Sequence, residues 1–444
     1  MTVSQPTTLI RHARILTMDP AIKDLEHGDL LIEGGLISAI APRLEADHVE
    51  EIEEIDATGC IVLPGFIDSH RHMWQAALRG CAPHHTLPEY FTHILGAVAP
   101  TLTPQDLYLG NLLGARAALD AGITTVQDIS NIQDSPAHSD HLINALQDSG
   151  LRAVFAYGNS TPRMRVHGSS LPDDVRRIRT ELLPHDDGAL VTMALVTELG
   201  DDDAERHNAH LARDLSVPTA RHAVQFSDDP HVTRLRNLGV LLPATTFIHG
   251  VGLDTEELKV IADIGSSLSI APAIEMMMGH GFPPFTRAIE AGLQLSLSAD
   301  VEVTTATDMF TQMRAAYQAS RYSELSSPGP GGPRTTVQDI LRYATIGGAQ
   351  TLGLDNVTGS LSPGKQADVI ILRADQPDVA PVYDAYSTVV LQMDRSHVDT
   401  VLVAGQPTKL GGKSLVDNSV VIDGADALGR RLIASGLLTP RRSR

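Results

Sequence analysis

The sequence predicts an α/β protein: a (β/α)8 (TIM) barrel carrying a small β-sandwich domain built from both chain termini. Three observations lead there. Short apolar runs alternate with helix patterns through the middle of the 444-residue chain, and eight such runs fall between residues 61 and 297, the signature of a parallel sheet with helical crossovers. Both ends of the chain show short alternating strands punctuated by glycine, and neither end is long enough to hold a sheet core alone. Histidines and an aspartate stand directly after several of the middle strands, where a barrel collects its chemistry. The expected division is residues 1–62 for the N-terminal part of the sandwich, 63–356 for the barrel and 357–444 for the C-terminal part of the sandwich.

In the first segment Leu9-Ile10, Ile15-Leu16, Leu30-Leu31-Ile32 and Ile37 are strand candidates, and Glu33-Gly34-Gly35 is a turn. Residues 50–56 lead into the first barrel strand. Its apolar run, Ile61, Val62, Leu63, Phe66 and Ile67, has the continuity expected of a strand buried on both faces. Thr103 and Pro104 supply an N-cap and first helical residue, Leu107, Leu112, Leu113 and Leu119 follow, and Gly122 ends that helix. Further strands are expected at 123–126, 153–157, 190–195, 217–223, 245–248, 268–270 and 293–297. Asp254 and Glu257 form a D-x-x-E capping box for a helix through Ile261. Residues 326–333 are rich in Pro and Gly and read as an exposed connector, with a lid as the alternative. Beyond it, Gly359 and Gly364 punctuate further strand-like runs at 369–372, 389–391 and 401–403.

His70 and His72 are two apart, so in an extended chain their side chains point the same way. Two imidazoles at one strand end can grip one divalent ion. His222, His249 and Asp300 hold the equivalent place on the fifth, sixth and eighth strands. Among 19 histidines no single one is diagnostic; the regularity is the argument. His207, His210 and His231 flank the fifth strand in polar, Asp-rich sequence and read as solvated. Three histidines with one aspartate suit zinc, and Fe(II), Mn and Co are alternatives.

The run Pro64-Gly65-Phe66-Ile67-Asp68-Ser69-His70-Arg71-His72, followed by Trp74-Gln75 and Leu78-Arg79-Gly80, resembles the first barrel strand of the amidohydrolase superfamily. It is most similar to the branch with cytosine, guanine and S-adenosylhomocysteine deaminases and triazine chlorohydrolases. The run from Gly359 to Asp368 resembles the superfamily's C-terminal signature. The resemblance implies that His70, His72, His222 and Asp300 hold one metal ion and that His249 faces the attacking water and the substrate. Two-metal relatives often bridge their ions with a carboxylated lysine on the fourth strand. This chain has no lysine between Lys23 and Lys259. Glu198 is the one alternative bridge and reads as a polar loop residue, so one divalent ion per chain is expected.

A bound divalent ion lowers the pKa of water from ~15.7 towards roughly 7. Asp300 is then the base that takes the water's proton and returns it to the leaving group, and His249 polarises the substrate. Deaminases of the resembled branch carry glutamate three residues after the fifth-strand histidine; this chain has Gln225, which donates a hydrogen bond and is no acid near neutral pH. Glu275 and His280, after the seventh strand, are the candidates for proton delivery, and ordering of their loop is the competing reading. In the resembled branch a glutamine just past the metal pair lines the substrate cavity, which implies that role for Gln75; Trp74 beside it is a candidate stacking platform, with burial at the barrel rim as its alternative.

A formal net charge of −20 argues against nucleic acid as partner. Two cysteines, Cys60 and Cys81, form no disulfide framework. No secretory leader and no apolar run of about 18 residues is found. A cytoplasmic protein acting on a small molecule, as a homodimer or higher homo-oligomer, is expected. The leading function is hydrolysis that releases ammonia or another small group from a nitrogen-containing ring. A cyclic amide or imidazolone ring hydrolase, and a barrel that binds without turnover, are the alternatives.

Overall fold

The computed structural model describes residues 7–45, 52–198, 200–224, 230–326 and 335–439. Gln225 and residues 327–333 of the Pro/Gly-rich connector lie outside them. The N-terminal strands are β1 (Thr7–Ile15), β2 (Leu25–Glu33), β3 (Leu36–Ala41), β4 (Ile52–Asp56) and β5 (Cys60–Pro64). The central strands are β6 (Phe66–Arg71), β7 (Ile123–Gln133), β8 (Arg152–Asn159), β9 (Val191–Val196), β10 (Thr219–His222), β11 (Thr245–Ile248), β12 (Ser267–Ile270) and β13 (Gln294–Leu297). The C-terminal strands are β14 (Val369–Arg373), β15 (Val398–Val403), β16 (Gln406–Leu410) and β17 (Lys413–Ser414).

Strands β6 to β13 form one eight-stranded sheet in sequence order, and its ladders are parallel. A parallel bridge, Arg71↔Asp300, brings its two edges together, so the expected barrel is present. Every residue of β6 is buried, as a parallel strand covered on both faces requires. Beneath the strand ends lies a layer of buried hydroxyls: Ser69 Oγ is 2.7 Å from both Ser269 Oγ and Ser296 Oγ, and Ser269 Oγ donates to Ser298 Oγ at 2.9 Å. Mutual pairing satisfies groups that would otherwise be costly to bury.

The remaining nine strands make one mixed sheet, β17-β16-β15-β14-β5-β1-β2-β3, with β4 also on β1. Both termini therefore build it: β14 runs antiparallel to β5 from Val369↔Pro64 to Arg373↔Cys60. The sandwich is this single sheet curled on itself, since Gly405, at the β15–β16 turn, packs against Gly35 of the β2–β3 turn. Side chains alternate between two cores. Val62, Val369 and Ile371 fill the inside of the curl, whereas Ile61, Leu63, Ile370 and Leu372 join the barrel's core.

The first strand differs from expectation. The apolar run from Ile61 is two strands, because Cys60–Pro64 belongs to the terminal sheet and the barrel begins at Phe66. Gly65 is the break: a Cβ there would stand 2.0 Å from Thr124 Oγ1. Residues 389–391 are helical, within Thr388–Gln392, and not a strand. Asp254 caps its helix by accepting from Glu257 N at 2.8 Å, and the Glu257 carboxylate accepts from Val232 N at 2.9 Å. Thr103 and Asp106 form a reciprocal capping box at the start of the helix Pro104–Asp120. The last helix, Ser419–Ala434, leaves the terminal sheet and packs on that helix, with Arg431 donating to Asp106 Oδ2 at 2.6 Å.

Candidate active site

His70 ends β6 but for one residue, and His72 follows it. Both are buried. Their Nε2 atoms lie 3.0 and 3.5 Å from the same oxygen, Asp300 Oδ1. His222 closes β10, its ring centroid 5.0 Å from that of His70 and 5.7 Å from that of His72. His249 follows β11 and puts Nε2 3.7 Å from Asp300 Oδ2. Donor atoms of His70, His72 and His222 lie within 4.8 Å of one another, and so do those of His70, His249 and Asp300. The structure thus brings together all five residues that stand at strand ends in the sequence. Two of them are held in left-handed backbone conformation, His249 at φ 72° and Asp300 at φ 62°. Non-glycine residues keep such angles where their surroundings over-determine them. Asp300 N donates to His70 O at 3.0 Å, His72 N donates to Asp300 O at 2.9 Å, and His249 N donates to Ser269 O at 2.8 Å.

Burial alone would raise Asp300, but His70, His249 and His72 around it hold the carboxyl far below its usual range, so it is ionised. Burial pushes His72 and His249 down to about 4 and His70 well below its ordinary value, leaving these rings neutral at pH 7. At His222 burial also lowers, yet the Glu198 carboxylate, 2.8 Å from Nδ1, outweighs it and the ring is raised. Glu198 is held down in return by His222, against the opposing effect of burial.

The arrangement fits a divalent cation. His72 Nδ1 donates to Ile129 O at 2.9 Å, and His222 Nδ1 faces Glu198. With the outer nitrogens so engaged, the inner Nε2 lone pairs are left for a ligand role. The outer nitrogen of His70 has no hydrogen-bond partner. An ionised carboxylate buried beside the neutral rings of His70, His72 and His249 offers a charge for a cation to meet, and the nitrogen and oxygen donors suit zinc.

A cavity of about 510 Å³ opens onto this cluster. Its floor is His72, His222, His249, His280, Asp300 and Glu198, and its outer wall is apolar, with Leu87, Phe91, Leu95, Met164 and Met278. His280 lies with its ring centroid 4.7 Å from that of His249, and neither of its nitrogens has a partner. Burial takes it down to about 4. Glu275 is buried and does not reach the cavity; its Oε1 is 3.1 Å from His249 Nδ1 and accepts from Ala271 N at 2.9 Å. Burial pushes its carboxyl up to about 8.

Trp74 and Gln75 are placed otherwise than expected, since neither lines the cavity. After His72 the chain turns into a 3-10 helix, Met73–Leu78, and this carries Trp74 beneath the helix Pro104–Asp120. There the Trp74 carbonyl would be 2.3 Å from a Cβ on Gly110. Trp74 is therefore core, not a stacking platform. Gln75 acts at one remove, its Nε2 donating to the hydroxyl of Tyr90, which does line the cavity. His231 is buried, not solvated. Tyr90, Asn131 and Asn159 line the cavity and were not singled out by sequence; the last two stand near the C-terminal ends of β7 and β8, where position alone could have flagged them, and Glu198, read from sequence as a loop residue or a bridge, lines it as well.

The sequence profile of the amidohydrolase family matches residues 61–408. The chain is 28% identical over 444 residues to a 5'-deoxyadenosine deaminase of Methanosarcina mazei, covering 96% of this chain and 98% of that protein. It is 26% identical over 428 residues to a 5-methylthioadenosine/S-adenosylhomocysteine deaminase of Syntrophus aciditrophicus, covering 90% and 91%. Among solved structures, an adenosine deaminase from Xanthomonas campestris with bound zinc superposes with a TM-score of 0.84 at 22% identity, covering 97% of this chain and all 100% of that one. The zinc complex of an atrazine chlorohydrolase from Arthrobacter aurescens gives 0.81 at 22% identity, covering 95% and 99%. At these identities the solved structures attest the fold.

Proposed function

The chain belongs to the amidohydrolase family, and from that premise we propose that it is a metal-dependent hydrolase acting on a ring carbon of a small nitrogen heterocycle, with deamination or related C–N cleavage as the reaction. The observation that carries this is the convergence of His70, His72, His222 and Asp300, the last three lining the cavity floor, with His249 against Asp300. We assign the first four as ligands of one zinc ion per chain. A divalent cation in such a set supplies Lewis acidity and an acidified water.

The chain's own residues do the rest. Asp300 Oδ1 is engaged by His70 and His72, which leaves Oδ2, on the His249 side, to accept a proton and pass it on. Glu275 holds His249 by its outer nitrogen, so Nε2 faces Asp300 and the cavity, where it polarises the bound ring. His280, with both nitrogens free, is the group placed to hydrogen-bond the substrate beside His249. Glu198 orients His222 through Nδ1. The apolar outer wall excludes water once a substrate is seated. Gln225 in place of an acid favours one second reading, hydrolysis of a cyclic amide or imidazolone, where no ring nitrogen need be protonated.

Two free thiols, Cys60 and Cys81, support the cytoplasm as compartment, and exposed Val420, Ile422 and Ile433 on the last helix support self-association. No helix among the described residues is long and apolar enough to cross a membrane. The functional test is ammonia release from aminopurine nucleosides, aminopyrimidines and aminotriazines, against ring opening of cyclic ureas, before and after chelation. Chelator-sensitive ammonia release is expected. Ring-opened product without ammonia would favour the second reading, and turnover that survives complete metal removal would overturn both.

A further inference from the structure

The barrel is closed unevenly. Every other neighbouring pair of its strands is joined by a ladder of two or more positions, but β13 and β6 meet at a single bridge, Arg71↔Asp300. The site straddles this seam. His70 and His72 stand on one side of it and Asp300 on the other. The backbone ladder across groups that must share one ion is thus a single pair of bonds, Asp300 N to His70 O and His72 N to Asp300 O.

Behind the bridge lies a buried charge cluster that the proposed chemistry does not use. Arg71 sits between His70 and His72, so its side chain leaves the opposite face of the strand. Its Nε is 3.2 Å from Glu302 Oε1, and its Nη2 donates to Thr307 O at 2.9 Å. Arg71 and Glu302 are each 1% exposed. Glu302 stands two residues beyond Asp300, and its second oxygen takes Arg79 from the turn after the 3-10 helix. Asp68, also buried, is 3.8 Å from Arg71 Nε and accepts from Ala299 N at 3.0 Å, again across the seam. Buried ion pairs contribute little net stability, because desolvation offsets their attraction, and apolar replacements of similar volume are often neutral or stabilising. What such a pair does supply is a fixed distance between the two segments it joins.

We propose that Arg71 and Glu302 are positioning residues for the metal centre: a clasp across the open seam that sets the spacing of His70 and His72 from Asp300. The proposal rests on the assignment of those residues as ligands. Its test is the zinc dissociation constant, measured by competition with a chromophoric chelator, alongside the unfolding midpoint of the metal-free protein. The pair is removed as Arg71→Met/Glu302→Leu together with Asp68→Asn, which leaves no lone buried carboxylate, and loosened as Arg71→Lys, which keeps the charge but not the guanidinium's reach to both Glu302 and Thr307 O. Arg152→Met/Asp368→Leu serves as control, because Arg152–Asp368 is a buried pair remote from the ligands. The clasp variant should fold with a midpoint near that of the wild type and bind zinc about 10–100-fold more weakly, the range seen when supports of metal ligands are lost. Arg71→Lys should fall between, and the control should leave zinc affinity unchanged whatever its midpoint. Zinc affinity within twofold of wild type in both Arg71 variants, or weakened equally in the control, would overturn the clasp while leaving the ligand assignment standing. A wild-type protein that binds no zinc would overturn the ligand assignment itself, and the clasp with it.

Discussion

Asp128 shows how the residues behind the site hold their charge states. It is fully buried on β7, facing Asn111 of the helix Pro104–Asp120, and burial pushes its carboxyl up to about 7. Asn111 Nδ2 donates to Oδ2 at 2.8 Å and Met73 N donates to Oδ1 at 3.1 Å, each opposing the rise. An aspartate in the unfolded chain titrates near ~3.9. Between that value and about 7 the native protein keeps a proton that the unfolded chain has released, so the contribution of Asp128 to stability is fully present below the unfolded value and is lost as pH rises through about 7. Asp128→Asn removes that titration, and Asn111 can rotate to offer its unpartnered Oδ1 to the new amide. The variant should match or fall below the wild type in thermal midpoint at pH 5 and gain on it steadily to pH 8; a gap independent of pH would refute the assignment. The sequence made one class of site residue legible and hid another. His70, His72, His222, His249 and Asp300 are visible because each stands at a strand end and metal ligands come from few residue types. Glu198 and Glu275 were named from the sequence but could not be paired with His222 and His249, and Glu302 drew no attention, because such contacts arise only on folding; Trp74 took its alternative reading, burial, as the 3-10 turn after His72 carries it into the core.

At the scale of elements, periodicity recovered most strands but could not see where one apolar run passes between two sheets. Ile61 to Ile67 reads as continuous because both halves are buried, one between the terminal sheet and the barrel and the other within the barrel. The division is written in Gly65 alone, whose amide donates to Asp368 O at 2.9 Å while its missing Cβ leaves room for Thr124. The same limit applies to residues 389–391, where three branched or long apolar residues satisfy a strand pattern and a buried helical turn equally well. Gly65→Ala places a methyl group 2.0 Å from Thr124 Oγ1 and 2.3 Å from its Cγ2, so either β6 or β7 must shift. Overpacking of this kind costs about 1–3 kcal/mol. Denaturant unfolding should show a loss in that range or greater, and Gly65→Ala combined with Thr124→Ala should recover part of it. No recovery would mean that the close approach to Thr124 is not what glycine serves at 65.

Across the whole molecule the question is whether the terminal sheet and the barrel fold as one unit. Alternate residues of β5 and β14 enter different cores, Ile61, Leu63, Ile370 and Leu372 facing the barrel while Val62, Val369 and Ile371 face inward. The sheet therefore has no free face to present to water once the barrel is gone. The two bodies are also pinned by Arg152 of β8, whose Nε and Nη2 reach Asp368 Oδ2 and Oδ1 at 2.7 and 3.0 Å, with Asp368 accepting in addition from Ala404 N at 2.7 Å. That explains why an aspartate ends the Gly359–Asp368 run: its carboxylate ties the barrel to the sheet rather than meeting solvent. The single tryptophan, Trp74, reports only on the barrel, whereas far-ultraviolet circular dichroism reports on both bodies. If they form one cooperative unit, the two signals should trace one transition, since coincidence of probes is the mark of all-or-none unfolding. Arg152→Met strands a buried, unpaired carboxylate and should cost about 3–5 kcal/mol, moving both transitions together. A dichroism change that runs ahead of Trp74 fluorescence in the wild type would show the terminal sheet melting from an intact barrel, and would place the cooperative boundary at Gly65.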